Sequence, residues 1–229
     1  AGCLSPRTIY REVERYESER VANEDTYWLV FELLWRDFFQ FQFRKHGADF
    51  FGPAGIRDVE KHWRRDRDAF ERWTNGRTGV PFVDANMREL NRTGYMSNRG
   101  RQNVASFLAK HLLVDWREGA RYFRQQLVDH DPASNAGAWQ WTASTGTDSV
   151  DVRIFDPVAQ LAKYDPDATY VKRYVPELRD VPAEAVVDWP TLSDAEREEL
   201  ASDYPHPIVD RDDAYERAQR VFERALGKR

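Results

Sequence analysis

The chain has 229 residues, of which 41% are hydrophobic, 14% aromatic and 32% charged. This length suits one large domain or two small ones with a sizeable core, and the aromatic content excludes a disordered protein. The apolar runs are too short for a membrane span, and the single cysteine, Cys3, excludes a disulfide framework and suits a reducing compartment such as the cytoplasm. The net charge of −5 combines a basic excess over 1–125 with an acidic excess over 126–229.

Helical periodicity extends through almost the whole chain, and we find neither the alternation typical of strands nor an internal repeat. Residues 129–158 have the composition of a loop, and the prolines of 160–190 allow only short helices there. Ser193 with Glu196 has the spacing of a capping box at a helix start. The sequence therefore predicts an all-α domain with long irregular connections. The predicted helices cover about 6–20, 26–46 (capped by Asp25 or Thr26), 59–74, 81–91, 97–114, 115–127 and 214–225.

The predicted helix from Tyr27 to Phe43 is apolar around almost its whole circumference, so we expect it to be deeply buried. Glu32 and Arg36 lie inside it, four residues apart on one face. Burying such charges is costly unless they are paired or meet a ligand. Two interpretations remain open. One is a buried Glu32–Arg36 pair, and the other is a pocket wall where Glu32 accepts hydrogen bonds, Trp35 stacks and Arg36 faces an anion or another polar group.

Residues 96–103 place two arginines and several amide or hydroxyl side chains at the start of a predicted helix. A helix N-terminus beside arginine is a natural anion site, and a solvated capping turn is the simpler alternative. Asp129 and Asp131 lie on either side of His130, directly before Pro132. Because too few further ligands lie nearby for a metal, we expect the aspartates to cap a turn and predict no metal site.

The sequence contains no glycine-rich phosphate loop, no nucleophile elbow and no Ser/His/Asp signature, so a hydrolase has little support. None of the five histidines has the paired spacing of a zinc motif. The eight tryptophans suit core packing, base stacking or electron relay, and composition does not choose among these.

Five long motifs follow one another along the chain. They are ELLWRDFF at 32–39, TGVPFVDANMREL at 78–90, TGYMSNRGR at 93–101, LLVDWREGARYF at 112–123 and WQWTASTGTD at 139–148. In this order they resemble the photolyase/cryptochrome family of flavoproteins, with most similarity to its DASH branch. The match covers nearly the whole chain and corresponds to the family's helical FAD-binding domain, which would occupy residues 1–229.

The resemblance implies an enzyme, a deoxyribodipyrimidine photo-lyase of the carbon–carbon lyase class. Such an enzyme uses blue light and reduced FAD to repair cyclobutane pyrimidine dimers in DNA by electron transfer. The lesion is flipped into the pocket, which fits the low cost of extruding a damaged, poorly stacked base. The implied partner is dimer-containing DNA, single-stranded or duplex, and the protein would act as a monomer away from membranes.

The resemblance also assigns roles to individual residues. Arg101 would pair with Asp129, and Asn135 would lie near the redox-active ring nitrogen of the flavin. The lesion and the DNA would be contacted by Glu32, Trp35, Asn98, Arg99, Gln102 and Trp141. FAD would be held by Arg36, Asn98, Arg101, Asp129, Asp131 and Asn135. Trp139, Trp116 and Trp73 match the tryptophan chain that carries electrons from the surface to the flavin.

Some positions depart from the DASH pattern. DASH members usually carry Tyr where Trp141 stands, whereas Gln102 follows their pattern, so the preference between single- and double-stranded DNA stays open. Leu29 stands where many photolyases place a flavin-side Trp. Two other functions also remain: a light-sensing or nucleic-acid-binding module without repair, which would use the basic excess of 1–125 for DNA, and a helical domain without cofactor.

The family's FAD phosphate-binding loop and its N-terminal α/β domain, which holds an antenna chromophore such as a folate, would precede Ala1 and are absent from these 229 residues. We therefore expect this chain to bind no antenna chromophore and to bind FAD more weakly than a complete family member, because donors to the pyrophosphate are missing. Titration of the purified chain with FAD, followed by flavin fluorescence, checks this. Nanomolar affinity would contradict it.

Overall fold

The computed structural model describes residues 3–59, 63–150 and 152–227. Over these ranges the regular structure is helical and contains no strand, and the only extended pairing is an isolated bridge between Arg64 and Val114. The prediction of an all-α domain is confirmed. The helices are α1 (Pro6–Glu19), α2 (Glu24–His46), α3 (Arg67–Thr74), α4 (Pro81–Thr93), α5 (Asn98–Ser106), α6 (Trp116–Gln126), α7 (Pro132–Thr142), α8 (Pro157–Tyr164), α9 (Thr169–Tyr174), α10 (Ala183–Val187), α11 (Asp194–Ala201) and α12 (Arg211–Ala225).

Several helix boundaries differ from the predicted ones. The expected loop 129–158 contains α7, because Asp131 caps a helix and Pro132 is tolerated in its first turn. The expected helix 59–74 begins only at Arg67, where the Asp66 side chain accepts from the Ala69 amide; residues 60–62 lie outside the described part. The fifth predicted helix ends earlier, in a π-helical turn at Phe107–His111.

Helix caps explain two further boundaries. The cap of α2 is Asn23, which forms a capping box with Thr26, so the predicted caps Asp25 and Thr26 are wrong by two or three positions. The box of Ser193 and Glu196 is confirmed at the start of α11. In both places side-chain oxygens satisfy amides that the first turn of a helix leaves without a partner.

The principal core lies where α3, α4, α5, α6 and α7 meet, around fully buried Trp73 and Trp139. Gly119 of α6 permits this packing, since a Cβ there would lie 2.1 Å from the Trp139 ring. A second core forms beneath α8, α9 and α10, centred on Trp189 and Tyr204. The two cores share α4, which contributes residues to both.

Helix α2 is not deeply buried, contrary to the expectation from its apolar sequence. Thr26 is the only buried residue in α2, while Trp28, Leu34 and Phe41 are 52%, 58% and 66% exposed. The helix packs against α1, α7 and the turn Gly47–Phe51, and these neighbours leave much of its apolar surface exposed. Apolar residues around a helix indicate which surface it tends to bury. Burial also requires another element that packs against that surface.

A buried carboxylate fixes α4 to the preceding loop and to the segment after α11. Asp84 is completely buried and accepts hydrogen bonds from the Thr78 amide (2.8 Å) and hydroxyl (2.6 Å), the Gly79 amide (2.9 Å) and the Tyr204 hydroxyl (2.6 Å). Burial raises the pKa of Asp84, against the effect of these donors. The network joins the start of α4 to the loop just before it and to Tyr204, 120 residues farther along the chain.

We predict that Tyr204→Phe lowers the free energy of unfolding by about 1–3 kcal/mol, because it leaves a buried acceptor of Asp84 with one donor fewer. Urea unfolding followed by circular dichroism measures the change. Tyr215→Phe is the matched control, since Tyr215 is 44% exposed on α12, and it should change stability by less than about 0.5 kcal/mol. Equal effects of the two variants would contradict the role of Asp84.

Candidate functional site

Asp131 joins α2 to the start of α7. Its Oδ1 accepts from the Ser134 amide at 2.8 Å, and its two oxygens accept from Gln40 Nε2 at 3.1 and 3.0 Å. The cap predicted from the sequence pattern is therefore confirmed, and the carboxylate also reaches across to a second helix.

A second bridge brings α5 to the same place. Arg101 Nη2 donates to Asp129 Oδ1 and Oδ2 at 3.0 and 2.8 Å, while its Nε donates to the Met96 carbonyl at 2.8 Å. The Arg101–Asp129 pair that the family resemblance implied is thus present in the structure. Together with Gln40–Asp131, it makes α2, α5 and α7 converge around the loop before α7.

Glu32 and Arg36 do not form the buried pair that the sequence left open as one alternative. Both side chains are exposed, and Arg36 Nη1 donates to Asp37 Oδ1 at 2.8 Å. Glu32, Arg36 and Gln40 are spaced four residues apart, so they share one face of α2. Because Gln40 contacts Asp131, Arg36 and Glu32 lie along that face one and two turns farther from this contact.

An aromatic groove lies next to this face. It has a volume of about 240 Å³ and is lined by Phe31, Leu34, Trp35 and Phe38 of α2 together with Thr147. Trp35 is 39% exposed and stacks on Phe39, with ring centroids 5.8 Å apart. The groove is smaller than the 300–1,000 Å³ typical of ligand pockets, but its walls are flat apolar rings.

The contact between α2 and α7 depends on Gly137. A Cβ at this position would lie 2.1 Å from the ring of Phe39, so only glycine lets the two helices approach this closely. One turn farther along α7, Gln140 donates to the Phe50 carbonyl at 2.7 Å and accepts from the Ile56 amide at 2.8 Å. These contacts hold the loop after α2 against α7.

The polar residues predicted for the flavin have different local partners. Asn135 Nδ2 donates to the Ala120 carbonyl of α6 at 2.9 Å, and Asn98 is exposed in the first position of α5. Ser97 caps this helix by accepting from the Gly100 amide at 3.1 Å. The interpretation of residues 96–103 as a helix cap is therefore confirmed. Because Asn98 is exposed, the alternative interpretation as an anion site remains open.

Arginines and aromatic rings alternate on the surface next to Trp141. Arg153 Cζ lies 4.9 Å from the centre of the Trp141 ring, and the Trp141 and Phe155 centroids are 6.2 Å apart. Arg99 Cζ lies 6.0 Å from the Phe155 ring and 4.9 Å from the Tyr164 ring. Cation–π contacts hold these guanidinium groups in place.

Gln102 lies on α5 between Arg101 and Asn103, and it is only partly accessible. Its Oε1 is buried and has no hydrogen-bond partner in the described part of the chain. An unsatisfied buried acceptor is costly, so a donor from a ligand or water at this position would be favourable.

The three tryptophans of the expected electron relay are all buried, with exposures of 0% for Trp73, 1% for Trp116 and 2% for Trp139. The Trp73 and Trp139 centroids are 6.2 Å apart, so these two rings contact each other directly. The relay role of Trp73, Trp116 and Trp139 stays a prediction. Trp63, which we did not single out, is half-buried and packs against the same cluster. In the sequence Trp63 stands among charged residues, and this pattern indicates an indole ring close to solvent.

The described residues contain no group of three or more His, Cys, Asp or Glu side chains that could hold a metal ion. Among the same residues, no helix is both long and apolar enough to cross a membrane.

The family model described as the FAD binding domain of DNA photolyase matches residues 28–224. The chain belongs to the photolyase/cryptochrome family. It is 62% identical over 220 residues to a cryptochrome DASH of Natronomonas pharaonis, covering 94% of this chain and 46% of the relative. It is 51% identical over 212 residues to a cryptochrome DASH of Synechocystis, covering 91% and 43%. The chain thus spans about half the length of these relatives.

Solved structures agree with this assignment. A Synechocystis cryptochrome superposes with a TM-score of 0.92 at 48% identity, covering 96% of this chain and 46% of that one. A class III photolyase of Agrobacterium tumefaciens superposes with a TM-score of 0.88 at 38% identity, covering 98% and 48%. The photolyase/cryptochrome helical fold is therefore shown for this domain.

The residues present fit FAD, the cofactor of the family's domain. Asn98, Arg101 and Asn135 bear donors for the polar parts of a dinucleotide, and Arg36 lies one turn along α2 from the Gln40–Asp131 contact. The aromatic wall of the groove suits a flat ring system, and the orphaned Gln102 Oε1 accepts another donor. Asp129 and Asp131 orient the surrounding side chains and can accept from hydroxyl groups.

We predict that Gly137→Ala weakens FAD binding at least tenfold and lowers stability by about 1–3 kcal/mol, because the added methyl group displaces Phe39 and separates α2 from α7. Flavin titration and urea unfolding measure the two effects. Ala138→Ser adds one atom at the neighbouring, exposed position and should leave both unchanged. Unaltered flavin affinity in a folded Gly137→Ala protein would show that this contact does not position the site.

Proposed function

We propose that this chain is the FAD-binding and catalytic domain of a blue-light-driven lyase that repairs cyclobutane pyrimidine dimers in DNA. The observation that supports this most is the convergence of α2, α5 and α7 through the Arg101–Asp129 and Gln40–Asp131 pairs, with an aromatic groove and the exposed Glu32 and Arg36 on the same helix α2. Reduced FAD, when bound, supplies the electron that splits the dimer.

The chain's own residues bind and orient the two partners. Trp35 offers an exposed indole face on which the rings of a pyrimidine dimer can pack. Glu32 is exposed one turn from Arg36, and its carboxyl group can accept from the base N–H or, when protonated, donate to a base carbonyl. Trp141 and Gln102 would shape the opposite side of this pocket.

DNA would lie along the strip of arginines and rings next to Trp141. The guanidinium group of Arg99 can bind a phosphate, and the rings of Phe155 and Tyr164 can stack on unpaired bases. Arg153 is paired with the buried Asp148 and supports the Trp141 ring. Such a combination of charge and stacking surfaces suits single strands and locally opened duplexes. Because phosphate contacts release counterions, binding should weaken steeply with salt.

We predict that Glu32→Gln reduces the rate of dimer repair about tenfold or more, because the neutral amide keeps only one acceptor oxygen and lacks the negative charge that strengthens a hydrogen bond from a base N–H. The assay illuminates the FAD-loaded, chemically reduced protein with a dimer-containing single-stranded oligonucleotide and measures loss of dimers by chromatography. Glu199→Gln changes an exposed glutamate on α11 and should repair at the unaltered rate.

Two results would overturn the proposal. The first is an unaltered protein that holds reduced flavin and leaves dimers intact under light. The second is a Glu32→Gln variant that repairs as fast as Glu199→Gln.

The second candidate is a light sensor that binds nucleic acid without repairing it. It is favoured by the relatives, whose names are cryptochrome rather than photolyase, and by the buried contact between Trp73 and Trp139, which could carry electrons in signalling as well as in repair. Flavin and DNA binding without any loss of dimers in the same assay would support this alternative over the first.

A further inference from the structure

We propose that this chain pairs with a second copy of itself through an exposed apolar stripe of α2, with the two helices antiparallel. The stripe consists of Tyr27, Phe31, Leu34, Phe38 and Phe41, and we call it the α2 seam. The pairing goes beyond the proposed function and does not depend on it. It also differs from the monomer that the family resemblance implies.

The spacing of the α2 seam is that of a coiled-coil contact. Its members follow one another at intervals of four, three, four and three residues, which places all of them on one side of the helix. Tyr27, Leu34 and Phe41 recur every seven residues, as the core positions of paired helices do, yet they are 59%, 58% and 66% exposed. The described elements that pack against α2 therefore leave this repeat open.

The aromatic groove has the form of a coiled-coil hole. Its walls on α2 lie at positions i, i+3, i+4 and i+7 of the helix, and they are Phe31, Leu34, Trp35 and Phe38. In paired helices a side chain of one helix inserts between four residues of the other. The groove volume of about 240 Å³ is below that of typical small-molecule pockets and admits one inserted side chain.

The two ends of the α2 seam carry opposite charges, and this favours one direction of the partner helix. Three residues before Tyr27 the same side of the helix carries Glu24, and four residues after Phe41 it carries Lys45; both are exposed. In an antiparallel pair centred on Leu34, each Glu24 lies near a Lys45 of the other copy. A parallel pair would bring like charges together and would align the two helix dipoles unfavourably.

The exposed apolar area is sufficient for a reversible pair. Five side chains on the seam and its edge are between 39% and 66% exposed, namely Tyr27, Trp28, Leu34, Trp35 and Phe41. At about 150–250 Å² for a side chain of this size, they expose roughly 400–700 Å² per copy. A symmetric pair would bury roughly 800–1,400 Å², close to the minimum of about 1,000 Å² for a specific interface. We therefore expect micromolar rather than nanomolar affinity.

A second copy on the α2 seam would fill the aromatic groove, because Phe31, Leu34 and Phe38 belong to both. A ligand in the groove and a second copy would therefore exclude each other. For this reason the pairing is measured on the purified chain with no flavin added.

Sedimentation equilibrium over a range of protein concentrations measures the pairing. We expect a monomer–dimer equilibrium that Leu34→Glu weakens at least tenfold, because this substitution places two carboxylates at the centre of the interface. Leu29→Glu is the matched control. Leu29 is 47% exposed and lies on the other side of α2 from the seam, so the same substitution there should leave the dissociation constant unaltered.

A charge exchange tests the direction of the partner helix. Glu24→Lys alone and Lys45→Glu alone each bring like charges together in the antiparallel pair and should weaken it about threefold or more. The double variant restores opposite charges and should recover most of the affinity. Circular dichroism of each variant confirms that the helices are retained.

Three results would overturn the proposal. One is a chain that stays monomeric at every concentration, which would leave the α2 seam to another partner, such as the domain that precedes this one in longer family members. Another is equal weakening by Leu34→Glu and Leu29→Glu. The third is a double charge variant that pairs no more tightly than the single variants, which contradicts the antiparallel arrangement. None of these results bears on the proposed function.

Discussion

The candidate site depends on the close contact of α2 with α7. Phe39 lies over Gly137, where any side chain would collide with it, and one residue farther along α2 Gln40 donates to both oxygens of Asp131. Since α2 has little other burial, these contacts decide its position. The positions of Glu32, Trp35 and Arg36 relative to α5 and α7 therefore depend on these contacts.

The paired charges and the aromatic surface occupy separate parts of the site, and this separation determines what kind of ligand fits there. Carboxylates at the start of α7 are paired with Arg101 and Gln40, so their cost of desolvation is offset locally. The aromatic face of α2 stays open next to them and presents flat rings. A cofactor with both a polar chain and a flat ring system is complementary to such a surface.

The same rings that stabilise the core also connect the site with the protein surface. Trp73 and Trp139 are packed at core density, with Gly119 making room for the Trp139 ring, and their contact continues to the half-buried Tyr122. Packing and electron transfer both favour rings in contact, so one cluster can serve both. The members differ in their access to solvent, since Trp73 and Trp139 are buried and Tyr122 is half-buried.

Local signals in the sequence were sufficient for the all-α class, for the capping box at Ser193 and for the five ordered motifs that identify the family. They also predicted the cap at Asp131. These features depend on residue type and on spacing along the chain, whereas the Arg101–Asp129 pair was implied by the family resemblance alone. The family resemblance also implied roles for individual residues. The structure shows where these residues lie but does not test their roles.

Only the tertiary structure decided which surfaces are covered and which side chains meet. An apolar circumference predicted a buried α2, yet burial depends on neighbours, and those of α2 leave Trp28, Leu34 and Phe41 exposed. Trp73 is fully buried because α6 and α7 close over it. The sequence by itself determined the helices and the chemistry that they bear, since both follow from short-range spacing. The exposure of each side chain depends on contacts between segments distant in sequence, such as Phe39 with Gly137, and only the folded chain brings these together.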